Sequence, residues 1–533
     1  MDTRKMLRTA AKAALFSVPV ILGLIGFADL YRDFWSRLYH TMALFALNFN
    51  ADEEYLQAHK CLQVARLFAG AATFSVVIAI LNNFWSAFSA FVQVRLFKAV
   101  VVHGEGGQAA RITEGLEDSG LKAVTCNSRL CFRAKNQVLA FDTDTEALRY
   151  VDAHLRDFFP RGSREGTANN IVLCSSRYSN SECRREYFSV YNPAETCARL
   201  YWSEHWLDRC RFAGGPDHAA VKKVAIIGFG CFGEQMLSQA LIMNVTDRQL
   251  ELTEEDRPLL GSHWDRIREM EGISYSVFGS DGADYCAMHP MLSEFLNLNG
   301  AGSGHRDSLS FFPSLAGPGI PALAGMDRII IALDDPEACL EMMNRLICAG
   351  LSEDIHIHCA NEEILFSLYR TEANGFAIVP YGMNRVLYNR ENLLHEQMEQ
   401  AAKALNFEYA KESLGRAVSP AEEIRLREDS WRKLTGFQKM SNFANCDHIA
   451  IKKGLMACYP FSENEDSDTA NLLMEIEHTR WERFYWFHNW AYDPRRDDAK
   501  RRHPCLVPFA GLSRADQLKD YHMYRRIAEG NMP

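Results

Sequence analysis

The sequence predicts a multi-domain chain: an N-terminal two-helix transmembrane segment, two α/β doubly wound modules in tandem, and a C-terminal all-α domain. Three observations predict it. Two apolar runs lie within residues 1–97. Two glycine-rich turns follow, each set between a short apolar strand and a helix. Beyond them, apolar positions recur near i, i+4 and i+7, as in packed amphipathic helices. The expected boundaries are 1–97 for the membrane segment, 98–215 and 216–385 for the two modules, 386–430 for a helical connector and 431–533 for the last domain.

A chain of 533 residues exceeds one core, so three or four folded units are expected. Apolar content of 47% and charged content of 24% describe a globular protein. The net charge of −10 argues against a dedicated nucleic-acid binder, and no nucleic-acid partner is expected. The 15 cysteines are scattered, with no C-x-x-C pair and no zinc spacing. They read as small buried hydrophobes kept reduced, and no metal site is expected.

Four basic residues, Arg4, Lys5, Arg8 and Lys12, precede an apolar run that ends near Phe27. A second run spans Leu67 to Val92. About 20 largely apolar residues are needed to cross a bilayer, and both runs roughly supply them. The alternatives are a signal peptide, for which no cleavage site is evident, and two buried core helices. Tyr31, Trp35 and Trp85 suit interfacial anchoring. Basic residues flank the outer ends of both runs, including Arg95 and Lys98, while the intervening loop holds Asp52, Glu53 and Glu54 as well as Arg32 and Arg37. That bias predicts a multi-pass protein of the bacterial inner membrane with both termini cytoplasmic. A shorter apolar stretch, LYHTMALFALNF, lies between the runs as a re-entrant or periplasmic loop. Ala46-Leu47-Asn48-Phe49-Asn50 has no glycine for a carbonyl-lined potassium filter, so a potassium-selective pore is not expected.

The first module opens on an apolar strand from Lys98 and a G-x-G-x-x-A turn at Gly104, Gly106 and Ala109. Its next strand ends in Asn127 and Ser128, where a ribose-binding carboxylate belongs, so this copy is read as degenerate. The second module begins at Lys222, with the full fingerprint at Gly228, Gly230 and Gly233. The first glycine makes the tight turn, the second admits a pyrophosphate, and the third lets helix pack on strand. Asp281, at the end of the following strand, is the candidate ribose ligand. An acidic insert, TEEDRPLL, sets it further downstream than usual. Two such Rossmann-like copies behind a membrane segment resemble the TrkA-N/RCK family of regulators. That resemblance implies rings of sensing lobes beneath a channel, a homo-oligomer of four, and NAD or an adenine nucleotide in the second lobe. No catalytic residue accompanies either fingerprint.

The segment from Leu472 to Tyr524 carries Glu477-His478-x-Arg480-Trp481, Trp490-x-Tyr492, Arg496-Asp497-Asp498 and His503-Pro504-x-Leu506-Val507-Pro508. Upstream stands Ser441-Asn442 followed by Asp447-His448 and Lys452. Together these motifs resemble the ryanodine-receptor-type (RyR) repeat domain of prokaryotic nucleotide-sensing membrane effectors. The resemblance implies binding of a nucleotide second messenger rather than catalysis. If the upstream segment is one helix, Ser441, Asn445, His448 and Lys452 share a face. Arg480 and Lys452 can meet phosphate, Trp481 or Trp490 can stack on a base, and Asn442 and Asp447 can read base or ribose hydrogens. The other readings are a surface pair at Glu477 and Arg480, core tryptophans, and structural roles for His478 and His503. Pro420 is expected to end the connector helix, and Asp497 or Asp498 to cap the helix after the charged loop.

Three functions follow from these readings. The first is a ligand-gated channel or pore-forming effector embedded in the lipid bilayer and switched by a small nucleotide, in an antiphage-defence setting that rests on family analogy. The second is a housekeeping ion-transport regulator controlled by NAD(H) or an adenine nucleotide. The third is a membrane-bound NAD(P)-dependent oxidoreductase.

Overall fold

A computed structural model describes residues 3–48, 53–126, 129–159, 170–178, 188–213, 221–298, 306–315, 320–351, 354–368, 378–394, 397–414 and 419–530. The chain divides into two compact units, Met1–Lys98 with Asn127–Arg133, and Ala99–Cys126 with Ala134–Pro533.

In the first unit, helices Thr3–Gly26, Phe34–Phe45 and Lys60–Phe91 pack together. Small residues set the contact. A Cβ on Gly23 would stand 2.6 Å from Thr41, and one on Gly26 2.5 Å from Leu62. Phe27, Leu44, Leu62, Ala65 and Ala69 form the buried seam. Close approach through glycine and alanine is the packing mode of helices in lipid, where apolar burial gives no drive between helices. The outward surface is apolar too, with Ile21, Ile25, Phe74, Ile80, Leu81 and Trp85 exposed. Two spans are expected from the sequence. Among the described residues one helix, Lys60–Leu81, is long and apolar enough to cross a membrane. The first run lies in the helix Thr3–Gly26, whose apolar part among the described residues is Ala14–Gly26. The stretch between the runs forms the helix Phe34–Phe45, its first turn capped by Asp33, which accepts from Ser36 N at 2.9 Å. Phe49, Asn50, Asp52 and the side chains of Arg4, Lys5, Arg8 and Lys12 lie outside the described residues.

The second unit holds both doubly wound modules. The first sheet contains β1 (Val100–His103), β2 (Ala123–Thr125), β3 (Asn136–Leu139), β4 (Asn170–Cys174) and β5 (Ser189–Tyr191) in the order β2-β1-β3-β4-β5, every pair parallel. The second contains β6 (Lys223–Ile227), β7 (Ser274–Phe278), β8 (Leu296–Leu298), β9 (Asp307–Phe312), β10 (Arg328–Ile331), β11 (Asp354–His358) and β12 (Ile378–Tyr381). Their order is β12-β11-β10-β6-β7-β9-β8, again all parallel. Continuous apolar runs such as Val100–Val102 and Ile329–Ile331 are buried because helices cover both faces. Strand order reverses between β1 and β3 in one sheet and between β6 and β10 in the other. Ligands of open parallel sheets bind at such reversals. Both glycine turns stand there. Asn127 and Ser128 lie outside the described residues.

The rest of the unit is mainly helical, Gln397–Leu414, Pro420–Lys433, Gly436–Asp447, Ile449–Cys458, Asp468–Phe487 and Arg514–Ala528, but the expected all-α domain also carries a short parallel pair, Ala491–Tyr492 with Arg502–His503. Pro420 starts a helix rather than ending one. It sits in the first turn behind Ser419, where its missing N–H costs nothing. The expected single helix through Lys452 is broken at His448, the shared cap of two helices. The acidic insert of the second module docks this helical domain: Asn471 Nδ2 donates to Leu259 O at 3.2 Å, and His263 Nε2 lies 3.3 Å from Thr469 Oγ1.

Candidate ligand-binding sites

Each fingerprint glycine is required by its surroundings. Gly228 has φ +99°, and a Cβ there would stand 2.8 Å from Leu333. A Cβ on Gly233 would collide with the carbonyl of Gly228, and one on Gly230 with the carboxylate of Asp334. That last contact matters most. Cys231 N and Phe232 N, the free donors of the helix Cys231–Met243, donate to Asp334 at 3.1 and 3.0 Å. The position a pyrophosphate takes at such a helix start is filled by the chain's own carboxylate. The first module repeats the device: Gln108 N donates to Asp142 at 3.1 Å, and a Cβ on Gly106 would collide with the same carboxylate. Asp281 is exposed and accepts from Ala283 N at 3.1 Å. In this conformation Asp334 takes the two amides that a dinucleotide phosphate would use, beside a cavity of about 380 Å³ lined by Gln108, Asp142, Cys231 and Phe232.

The C-terminal helices enclose a cavity of about 520 Å³. Ser441, Asn442 and Asn445 line it from Gly436–Asp447; Glu477, Arg480, Trp481 and Tyr485 line it from Asp468–Phe487. At the floor, Arg480 forks onto Glu477 at 3.0 and 2.8 Å, and Lys452 Nζ meets Glu477 at 2.8 Å and Asn445 Oδ1 at 2.9 Å. Burial alone would raise the Glu477 carboxyl, but Arg480 and Lys452 overrule it and hold it at about 2. Trp481 is half-buried, its ring 4.1 Å from that of Tyr485. At the rim stand two exposed cations, Arg496 paired with Asp498 at 2.7 Å and Lys519 paired with Asp516 at 2.7 Å. An aromatic wall, an amide row and rim cations suit a base, its hydrogen-bonding edge and a phosphate respectively.

Five of the ten residues expected here line the cavity: Ser441, Asn442, Glu477, Arg480 and Trp481. The other five do not line it. Asp447 accepts Arg199 at 2.7 and 2.9 Å and Gln239 at 3.0 Å, so it ties the helical domain to helices of both modules. His448 is fully buried, its Nε2 2.9 Å from Val245 O, and burial drives its pKa well below the usual value. Lys452 is fully buried behind Glu477, and burial lowers its pKa to about 8. Trp490 is a core ring, 4.8 Å from Phe437 and nearly parallel to it. His478 lies beside Trp481, its ring 5.7 Å away, and lines a second cavity instead. The expected caps also move. Asp497 accepts Lys500 N within the charged turn, and Ser513 caps the next helix by accepting Asp516 N at 3.2 Å. Sequence reasoning missed Tyr485, Lys519, Asp520 and His522, and read Arg496 only as part of a linker. The one signal for the lysine and histidine was their i, i+3 spacing on a single helix.

No family model matches the chain, and no curated protein matches it. Among solved structures, the chain is similar to the crystal structure of a GsuK mutant, at 14% identity over 73% of this chain and 96% of that one, with a TM-score of 0.29. A likeness at that level says nothing about ligand or activity. The doubly wound fold stands on the hydrogen-bonded strand orders described above.

Proposed function

We propose that the chain is a membrane-embedded, ligand-gated channel or pore-forming effector whose C-terminal helical domain binds a nucleotide messenger. The observation that carries this reading is the 520 Å³ cavity walled by Trp481 and Tyr485, with amides on one side and cations at its rim. The exposed apolar helix Lys60–Leu81 supports the membrane half. The two doubly wound modules transmit the change, assembled as a ring of four. Nucleotide-signalled antiviral defence is the setting the proposal adopts, with no catalytic residue assigned. The reading in which the second module senses NAD(H) is weakened by Asp334, which occupies its phosphate position.

The test uses the full chain in lipid nanodiscs. Nucleotides released on denaturation are identified by mass spectrometry, then titrated back calorimetrically. Base stacking on an aromatic ring is worth about 1–3 kcal/mol, so Trp481→Ala is expected to weaken the captured nucleotide by about tenfold or more. Arg496→Ala, a surface change that spares the fold, is expected to weaken it as well. Unchanged affinity in both variants sinks the proposal.

A further inference from the structure

A second cavity, of about 330 Å³, lies where the second module meets the helical domain. It shares the helix Asp468–Phe487 with the first cavity but uses the opposite face. Its lining is acidic. Glu475 is 5% exposed, and its Oε2 has no hydrogen-bond partner. Asp256 is 2% exposed; one oxygen accepts Thr253 N at 2.7 Å, while Oδ1 has no partner. Glu294 stands at the edge, exposed. The three cations on the same walls are engaged with other carboxylates: Arg306 with Glu251 at 2.6 Å, His478 with Glu482 at 3.5 Å, and Arg483 with Asp307 at 2.6 Å. Burial first, and the Asp256 carboxylate second, push the Glu475 carboxyl well above its usual range. A buried carboxylate oxygen without a donor is costly, so Glu475 Oε2 and Asp256 Oδ1 call for a positive charge or a proton.

The shape of the acidic field decides which. Among the described residues no three His, Cys, Asp or Glu side chains converge as metal ligands do. The carboxylates range from buried Glu475 and Asp256 to exposed Glu294, and the rings of Phe295 and Trp486, nearly parallel at 12°, line the same cavity. Carboxylates and apolar faces in one cavity match a ligand whose ammonium groups are separated by methylenes, and rings favour an organic cation over a hydrated ion. We propose that this cavity binds a linear diamine or polyamine, one ammonium against Glu475 and Asp256 and another toward Glu294. The proposal stands independently of the nucleotide reading.

The full chain in nanodiscs is titrated calorimetrically with spermidine, putrescine and Mg²⁺. Saturable spermidine binding is expected, weakened at least about tenfold by both Glu475→Gln and Asp256→Asn. Trp481→Ala, on the other face of the helix, is expected to leave it unchanged. Thermal melts control for folding: Glu475→Gln removes an uncompensated buried charge and is expected to melt no lower than the parent chain. Absence of spermidine heat, unchanged affinity in a folded Glu475→Gln, or equal competition by Mg²⁺ each overturns the proposal.

Discussion

Glu477 holds two buried cations at the floor of the larger cavity. Lys452 is fully buried and Arg480 nearly so, and both depend on the same carboxylate. Glu477→Gln leaves two buried positive charges without their counter-ion, and the expected loss is about 3–5 kcal/mol, read by chemical denaturation. The pH dependence follows the same logic. The folded Glu477 pKa lies at about 2, below its ordinary 4.5, so its contribution is present above 4.5 and is lost as pH falls toward 2. Buried histidines act earlier. His488 is lowered to about 4 by burial, so its share is complete above its ordinary 6.5 and fades as pH falls from there toward 4. A melting series is expected to show an acid limb beginning near the histidine range, and Glu477→Gln to flatten its lowest part. Asp334 carries a prediction of the opposite sign. Asp334→Ala frees Cys231 N and Phe232 N at the start of their helix. It is expected to raise the affinity for an adenine dinucleotide by about tenfold or more in calorimetry. No gain would contradict the idea that this side chain fills the phosphate position.

At the scale of elements, the glycine turns, the parallel strands after them and the signature helix are legible in the sequence. Gly228, Gly230 and Gly233 each sit where a Cβ has no room, and strand–turn–helix context follows directly from such a pattern. What the sequence hides is partnership at a distance. Asp334 lies 103 residues beyond the amide it caps at Cys231, and Asp447 lies 248 residues beyond Arg199. No local period reports either contact. His448 stands between two helices, its ring facing Val245 O on another element. The face expected to carry ligand groups is thereby split between cavity and docking surface. The Arg199–Asp447 fork belongs to that docking surface. Arg199→Ala strips a buried carboxylate of its bidentate partner, leaving Gln239 alone. The expected cost is about 3–5 kcal/mol, with earlier hydrogen exchange in Gly436–Asp447 than elsewhere in the helical domain. Exchange that stays uniform would show that the fork does not hold that helix.

At the scale of the whole molecule, the first unit presents apolar side chains outward along most of its longest helix. The full chain is expected to float with membranes in a density gradient and to resist alkaline extraction. Recovery in the aqueous fraction would show that those faces are covered by protein instead of lipid. Gly26→Leu tests the seam between the helices. The new side chain would start 2.5 Å from Leu62, so the hairpin is expected to splay and the yield of folded, membrane-borne protein to fall.

The paired carboxylates at the glycine turns have one more consequence. Asp142 and Asp334 are tethered to the amides they satisfy, and a tethered group competes at an effective concentration that a freely diffusing metabolite rarely reaches. A phosphate that reaches those amides must first displace the carboxylate that holds them.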